Sequence, residues 1–209
     1  NRKSFGPLLT GVDHMRHTLD IERNAFSRGL PAHGVELAED LERLCQLHDG
    51  SNIAAVIVEP VAGSAGVLPP PVGYLERLRE ICDKHKVLLI LDEVMCGMGR
   101  TGSLFACEQE DVTPDLVAIA KGLGAGYQPI GALLCTSEVY RAFEEGTGFF
   151  QHGHTFMGHA TAVAASLATL TAIENENLLA NVRTRGASIL QALREKLSDH
   201  PNVGDVRGR

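Results

Sequence analysis

The sequence lacks the features of a membrane-spanning, secreted or nucleic-acid-binding protein. No apolar run approaches the length that crosses a bilayer, and the N-terminal Asn1-Arg2-Lys3 is not followed by the apolar segment of a signal peptide. A formal net charge of −7 argues against nucleic acid and anionic membranes as main partners, because both are themselves negatively charged. The sequence has neither internal repeats nor low-complexity tracts, so we expect an ordinary soluble globular protein.

Cysteine is scarce and unpaired in its spacing. The five cysteines are odd in number, and most of them lie in apolar stretches: Cys45, Cys82, Cys96, Cys107 and Cys135. Reduced thiols in a cytoplasmic protein are the simplest account of this pattern. The chain does not open with an initiator methionine, so we expect it to begin inside a longer protein.

Helical and strand patterns alternate along the chain. Short apolar runs predict strands at 53–58, 87–91, 116–120 and 130–135, whereas amphipathic or small-residue patterns predict helices at 35–48, 73–86, 160–174 and 178–197. We also expect a loop over 1–34, a short helix capped by Ser137 and a strand beginning near Val203. This alternation predicts an α/β fold with a mostly parallel sheet flanked by helices.

Two of the predicted strands deliver charged residues at their C-terminal ends. The run Val87-Leu88-Leu89-Ile90-Leu91 is followed by Asp92-Glu93. The apolar run 116–120 is followed by Lys121, which begins a glycine-rich turn. In open α/β sheets, ligands bind at the carboxyl edge of the strands. An acid and an amine on that edge suit pyridoxal phosphate, which needs a protonated ring nitrogen and a lysine that forms a Schiff base.

The surrounding motifs are specific. The stretch LLILDEVMCGMGRTGSLFACEQEDVTPDLVAIAKG, together with AAVIVEPVAGSAGV, PIGALLC and HGHTFMGHATAVAASLATL, resembles the class III pyridoxal-phosphate aminotransferases. The opening NRKSFGPLLTGVDHMRHTLDIERNAFSRG is similar to the ω-amino acid:pyruvate (β-alanine:pyruvate) branch. Essentially the whole chain is covered. The resemblance implies a fold-type I enzyme, with residues 1–174 in the cofactor-binding large domain and residues 175–209 opening a C-terminal small domain.

The resemblance also implies roles for particular residues. Lys121 matches the Schiff-base lysine, Asp92 the partner of the pyridine nitrogen, and Val94 the apolar residue on the ring face. Thr155 matches the threonine that reaches the cofactor phosphate of the neighbouring subunit, and Glu59 a glutamate near the substrate pocket. The family implies a homodimer or a dimer of dimers with a shared site, an amine donor and a 2-oxo acid acceptor.

The chain departs from the family pattern in several places. Met95 stands where many members have a glutamine, and Ala160 where a helix-opening proline is usual. We do not find the family's upstream Gly-Ser phosphate cradle, its ring-stacking aromatic or its C-terminal arginine. We therefore expect that these 209 residues, made alone, are not a competent enzyme.

Transamination is the function that the resemblance favours, and other interpretations stay open. Related class III chemistry would be an aminomutase, racemase or decarboxylase, and a non-catalytic truncated chain is also possible. Gly97, Gly99 and Gly102 have the spacing of a dinucleotide fingerprint, which would indicate a nicotinamide-dependent oxidoreductase. His152, His154 and His159, with Asp92 or Glu93, would be the ligands of a metal enzyme. No metal is expected for a transaminase.

Overall fold

The computed structural model describes residues 5–209 and contains a four-stranded sheet flanked by helices. The strands are β1 (Ala55–Val58), β2 (Leu88–Asp92), β3 (Leu116–Ile119) and β4 (Ala132–Cys135). They lie side by side in the order β1-β2-β3-β4. The first three are parallel and β4 runs antiparallel to β3, so the predicted mostly parallel sheet is confirmed.

The described helices vary from one turn to more than five. They are α1 (Ile21–Asn24), α2 (Glu39–His48), α3 (Tyr74–His85), α4 (Ser137–Glu144), α5 (Ala160–Asn175) and α6 (Leu178–Leu197). Short 3-10 turns occur at Val35–Ala38, Gly50–Asn52, Ala106–Glu110 and Lys121–Gly124.

The main hydrophobic core fills the space between the sheet and the helices α2 and α3. Helix α3 presents apolar side chains at helical spacing, and Leu75, Leu78 and Ile81 are completely buried. The strand β2 contributes Leu89 and Leu91, which are two residues apart and therefore point to the same face of the sheet. Burial of this stripe against the sheet fixes α3 as the link between β1 and β2.

A smaller apolar cluster lies at the end of β3. Met98, Ile119 and Leu123 are its buried members, and Leu170 and Ile173 of α5 pack against them. Because Leu123 lies in the 3-10 turn that begins at Lys121, the helix α5 supports that turn directly. This smaller cluster therefore also positions the end of β3.

Most of the predicted elements are present, with differences at their ends. Thr136, not Ser137, caps α4, because its hydroxyl accepts the Val139 N–H at 3.4 Å. The predicted 1–34 loop contains the single turn α1, whose Asp20 cap accepts the Arg23 N–H at 3.1 Å. Residues 1–4, predicted to lie in the same loop, are outside the described residues.

Other expectations meet different outcomes. No strand forms over 203–206 within the described C-terminal residues. Of the helices in residues 5–209, none combines the length and the apolar character needed to cross a membrane. The boundary at 174/175 falls in the last turn of α5, and the division into a large and a small domain stays a prediction.

The core between α3 and the sheet gives a stability prediction. We expect Leu78→Ala to lower the free energy of unfolding by about 2–5 kcal/mol, because it leaves a cavity at a completely buried position. Leu47→Ala is the matched control, since Leu47 lies on the outer face of α2 and is 66% exposed. Urea unfolding of both variants measures their free energies of unfolding. An equal decrease in the two variants would contradict this description of the core.

Candidate active site

Three of the candidate residues lie at one edge of the sheet. Val58 and Leu91 are register partners on parallel strands, so Glu59 and Asp92, which come directly after them, are neighbours at the carboxyl ends of β1 and β2. Asp92 is in turn the register partner of Ala118, and Lys121 comes three residues after Ala118. The sheet therefore brings Glu59, Asp92 and Lys121 to the edge where α/β proteins bind ligands.

Asp92 is the last residue of β2 and is only partly buried. Its Oδ1 accepts the backbone N–H of Val94 at 3.0 Å, a local bond that turns the chain sharply after the strand. Among the described residues, no donor is bonded to Oδ2. One oxygen of Asp92 thus orients the carboxylate and the next residues, while the other remains available to a ligand.

Lys121 opens a 3-10 turn and is exposed. Its backbone has a φ of 43°, in the left-handed region that a residue with a side chain seldom adopts and that costs about 1–2 kcal/mol. Its ammonium group forms no salt bridge with the described residues. The neighbouring Gly122 is required by packing, because a Cβ there would lie 2.9 Å from Met98 Cβ. The turn is strained, tightly packed and open on the side of the lysine.

Glu59 and Met95 are close to this edge and are both engaged with one loop. Glu59 Oε1 accepts the Gly63 N–H at 3.2 Å, so this glutamate stabilises the loop that comes after β1. Glu59 also lines a cavity of about 1230 Å³ beside β1. The Met95 side chain lies against Gly63, where any added Cβ would collide with its terminal methyl group. The residue that replaces the family's glutamine therefore packs on the Glu59 loop.

Thr155 is not at the strand edge. It lies in the exposed turn 155–158, just before α5, and it is hydrogen-bonded to none of the described residues. The helix begins without a proline, and His159 serves as its N-cap, with Nδ1 accepting the Ala162 N–H at 3.4 Å. This histidine therefore supplies part of the helix start that the missing proline would otherwise favour.

Glu93 is a site neighbour whose importance the sequence pattern did not reveal. Its side chain is completely buried, and its two oxygens accept the backbone N–H groups of Ala106 and Cys107, each at 2.9 Å. The Cys96 thiol donates to Oε2 at 3.3 Å. Burial first, and the negative charge of Glu93 second, raise the pKa of the Cys96 and Cys107 thiols to about 12, so both stay protonated at neutral pH.

The arrangement around Glu93 also bears on two alternative roles. Both carboxylate oxygens face inward to backbone donors, so Glu93 cannot replace Asp92 at the ligand edge or serve as a metal ligand there. In the sequence, Glu93 is marked only by its position beside Asp92 at the end of a strand. That position does not indicate the direction of its side chain.

The glycine pattern at 97–102 lacks the structural setting of a dinucleotide site. Such a site requires the first glycine to join a strand directly to a helix N-terminus. Here residues 94–105 form successive turns, which lead only into the 3-10 turn Ala106–Glu110. A Cβ at Gly99 would lie 2.9 Å from Leu179 Cδ2, and Arg183 donates to the Gly102 carbonyl. These glycines allow the loop to pack against α6.

The three clustered histidines do not form a metal centre with the acidic pair. Within residues 5–209, no group of three or more His, Cys, Asp or Glu side chains could hold a metal ion. His159 is occupied as the cap of α5, and the rings of His152 and His154 pack edge to face with centroids 4.8 Å apart. The histidine pattern is therefore explained by local packing and capping.

Comparison with known proteins agrees with this geometry. The family model for class-III aminotransferases matches residues 2–209. The chain is 51% identical over 99% of its length to an omega-aminotransferase of Caulobacter vibrioides, and 47% identical over 99% to an omega-amino acid–pyruvate aminotransferase of Pseudomonas putida. It covers 48% and 47% of those proteins, and so spans about half the length of these curated relatives.

Solved structures show the same relationship. An amine transaminase from an uncultivated Pseudomonas species, determined in its PLP-bound form, superposes with a TM-score of 0.80 and 43% identity. The superposition covers 83% of this chain and 40% of that one. Since the family model extends over nearly every residue and the fold is the same, the chain belongs to the class-III aminotransferase family.

Proposed function

We propose that the protein is a pyridoxal-phosphate-dependent transaminase that moves an amino group from an ω-amino acid or related amine to a 2-oxo acid such as pyruvate. Class-III aminotransferases depend on pyridoxal phosphate and act on amines and 2-oxo acids. One observation carries the proposal for this chain: Asp92 and Lys121 stand at the carboxyl ends of adjacent parallel strands. The relatives' names support ω-amino acid donors and pyruvate over aminomutase, racemase or decarboxylase chemistry.

The residues at the edge fit pyridoxal phosphate by their chemistry. The cofactor carries an aldehyde, a basic ring nitrogen and a phosphate. Lys121 offers an amine without an ionic partner among the described residues, and Asp92 offers a carboxylate oxygen without a bonded donor there. Val94, the residue after Glu93, offers an apolar side chain, and Thr155 offers an exposed hydroxyl. The set has one group for each part of the cofactor.

Each of these residues has a definite task in the proposed reaction. Bound pyridoxal phosphate supplies a ring that accepts the electron pair of a broken C–H bond. The Asp92 carboxylate would hold the proton on the ring nitrogen, since a negative charge next to that nitrogen favours its protonated form. Lys121 Nζ would hold the cofactor covalently, then take the proton from the donor carbon and return it one position away. Val94 would exclude water from one ring face.

A second copy of the chain is part of the proposal. Thr155 is away from the strand edge and lies beside a set of exposed apolar side chains: Phe149, Phe150, Phe156 and Met157. Apolar surface of this extent, concentrated in one segment, is typical of an interface between subunits. A homodimer in which Thr155 serves the phosphate of the partner's site accounts for both observations.

The direct test is a donor panel on the complete protein that contains these residues, purified and loaded with cofactor. Incubation with β-alanine, taurine and simple primary amines, with pyruvate or 2-oxoglutarate as acceptor, should yield alanine or glutamate. Ping-pong kinetics are expected, because the amino group is transferred in two half-reactions. A colourless protein that forms neither product from any donor would contradict the proposal.

Lys121 gives a prediction with a chemical readout. Lys121→Ala should abolish turnover, because both the covalent hold and the proton shuttle are lost. Reduction of the wild-type protein with borohydride should fix a pyridoxyl group on the peptide that contains Lys121, and mass spectrometry detects it. Lys196→Ala is the control. It removes a lysine that lies on α6, away from the strand edge, and it should retain both activity and labelling of Lys121. Label on another lysine would refute the assignment.

Asp92 gives a prediction that separates charge from shape. Asp92→Asn should fold normally, because the Asn oxygen still accepts the Val94 N–H that Asp92 Oδ1 accepts at 3.0 Å. Turnover should nevertheless fall by orders of magnitude, since a neutral amide cannot hold the ring nitrogen in its charged form. Steady-state kinetics and far-UV circular dichroism measure the two effects. A near-normal rate would remove this role from Asp92, and the enclosed Glu93 could not take it over.

Thr155 gives a prediction about the subunit boundary. Thr155→Ala should weaken cofactor retention by roughly 1.5–3 kcal/mol, because a hydroxyl donor to a charged phosphate is lost. Thr147→Ala is the control, since Thr147 is another exposed threonine that bonds only within its own loop. Mixed dimers of Thr155→Ala and Lys121→Ala subunits should regain activity, because one of their two sites carries neither change. No recovery in demonstrated mixed dimers would contradict a shared site.

A further inference from the structure

A buried carboxylate lies directly between two of the proposed site residues. Glu93 stands between Asp92 and Val94 in the chain, and its side chain is 0% exposed. Among the described residues it has no cationic partner. Three donors replace the lost water: the N–H groups of Ala106 and Cys107 at 2.9 Å, and the Cys96 thiol at 3.3 Å. A charge in the interior is tolerated only with such complete hydrogen bonding, so its direction is tightly determined.

The backbone of Glu93 is held as firmly as its side chain. Its N–H donates to the Ala118 carbonyl of β3 at 2.9 Å, and its carbonyl accepts the Gly97 N–H at 2.9 Å. A Cβ at Gly97 would lie 2.7 Å from that carbonyl oxygen, so only glycine closes the turn in this way. Glu93 thus connects four segments. They are the end of β2, the strand β3 that leads to Lys121, the 93–97 turn and the start of the 3-10 turn at Ala106.

We infer that Glu93 is a positioning residue for the site, an inference that rests on the proposed function. Neighbouring side chains on a strand point to opposite faces, so the inward direction of Glu93 sends Asp92 to the ligand side. The clamp around Glu93 also fixes the path of the chain through Val94, whose N–H orients the Asp92 carboxylate. Glu93 therefore acts on the cofactor only through its two neighbours.

Glu93→Gln tests the inference with a nearly isosteric side chain. One amide NH₂ group must then face a backbone N–H of Ala106 or Cys107, so the clamp loosens without a change in volume. We expect a changed visible circular dichroism band of the bound cofactor, which reports its placement without any turnover. We also expect kcat to fall at least about tenfold, with KM for pyruvate changing by no more than about twofold.

Asp40→Asn is the matched control for stability alone. Asp40 is a second buried carboxylate with three hydrogen bonds, all from Arg16, and it lies on α2 away from the strand edge. This variant should lower the unfolding midpoint and leave the visible band and kcat unchanged. Gly97→Ala provides a second perturbation of the turn, since it keeps the carboxylate but presses on the Glu93 carbonyl and side chain. It should alter the visible band as Glu93→Gln does.

The outcomes separate this inference from the proposed function. A wild-type protein that neither binds pyridoxal phosphate nor transaminates would overturn the function, and the positioning role with it. If the wild type is active, and Glu93→Gln and Gly97→Ala lower the unfolding midpoint as Asp40→Asn does but keep the wild-type band and kcat, Glu93 is only a cap of the 3-10 turn. That result would overturn the positioning role and leave the proposed function intact.

Discussion

Parallel pairing between β2 and β3 is the constraint on which the candidate site depends. Only in a parallel pair do two strands end at the same edge, and the register of Asp92 with Ala118 sets the carboxylate and Lys121 on that edge together. Parallel strands need a long connection between them. Here it is the 93–115 segment, whose turns are held by backbone bonds and by the buried Glu93 carboxylate rather than by an α-helix.

That connection explains why so many glycines stand near the site. Gly97 allows the turn to close on Glu93, Gly122 allows the Lys121 turn to approach Met98, and Gly99 makes room for Leu179 of α6. In each case the reason is a close approach between segments that are distant in sequence. A dinucleotide fingerprint has the same glycine spacing but opens an α-helix, whereas the described residues 103–115 contain only a 3-10 turn.

The two apolar clusters stabilise different parts of the molecule. The larger cluster, between the sheet and the helices α2 and α3, is a conventional apolar core. The smaller cluster includes Leu123 from the strained Lys121 turn. Packing of α5 on this cluster offsets the backbone strain at Lys121, so the second core stabilises the geometry of the candidate site as well as the fold.

The sequence by itself determined the element types, the mostly parallel sheet and the candidate edge. Hydrophobic periodicity is local, and charged residues at the ends of apolar runs identify the carboxyl edge without coordinates. The long motifs around Asp92 and Lys121 indicated the family. The family motif also pointed to Asp92 as the acid of the edge. Only the tertiary structure shows what holds the adjacent Glu93 inward, namely the N–H groups of Ala106 and Cys107, which are more than ten residues away in the sequence. Side-chain direction at the end of a strand depends on such distant partners, which no local pattern records.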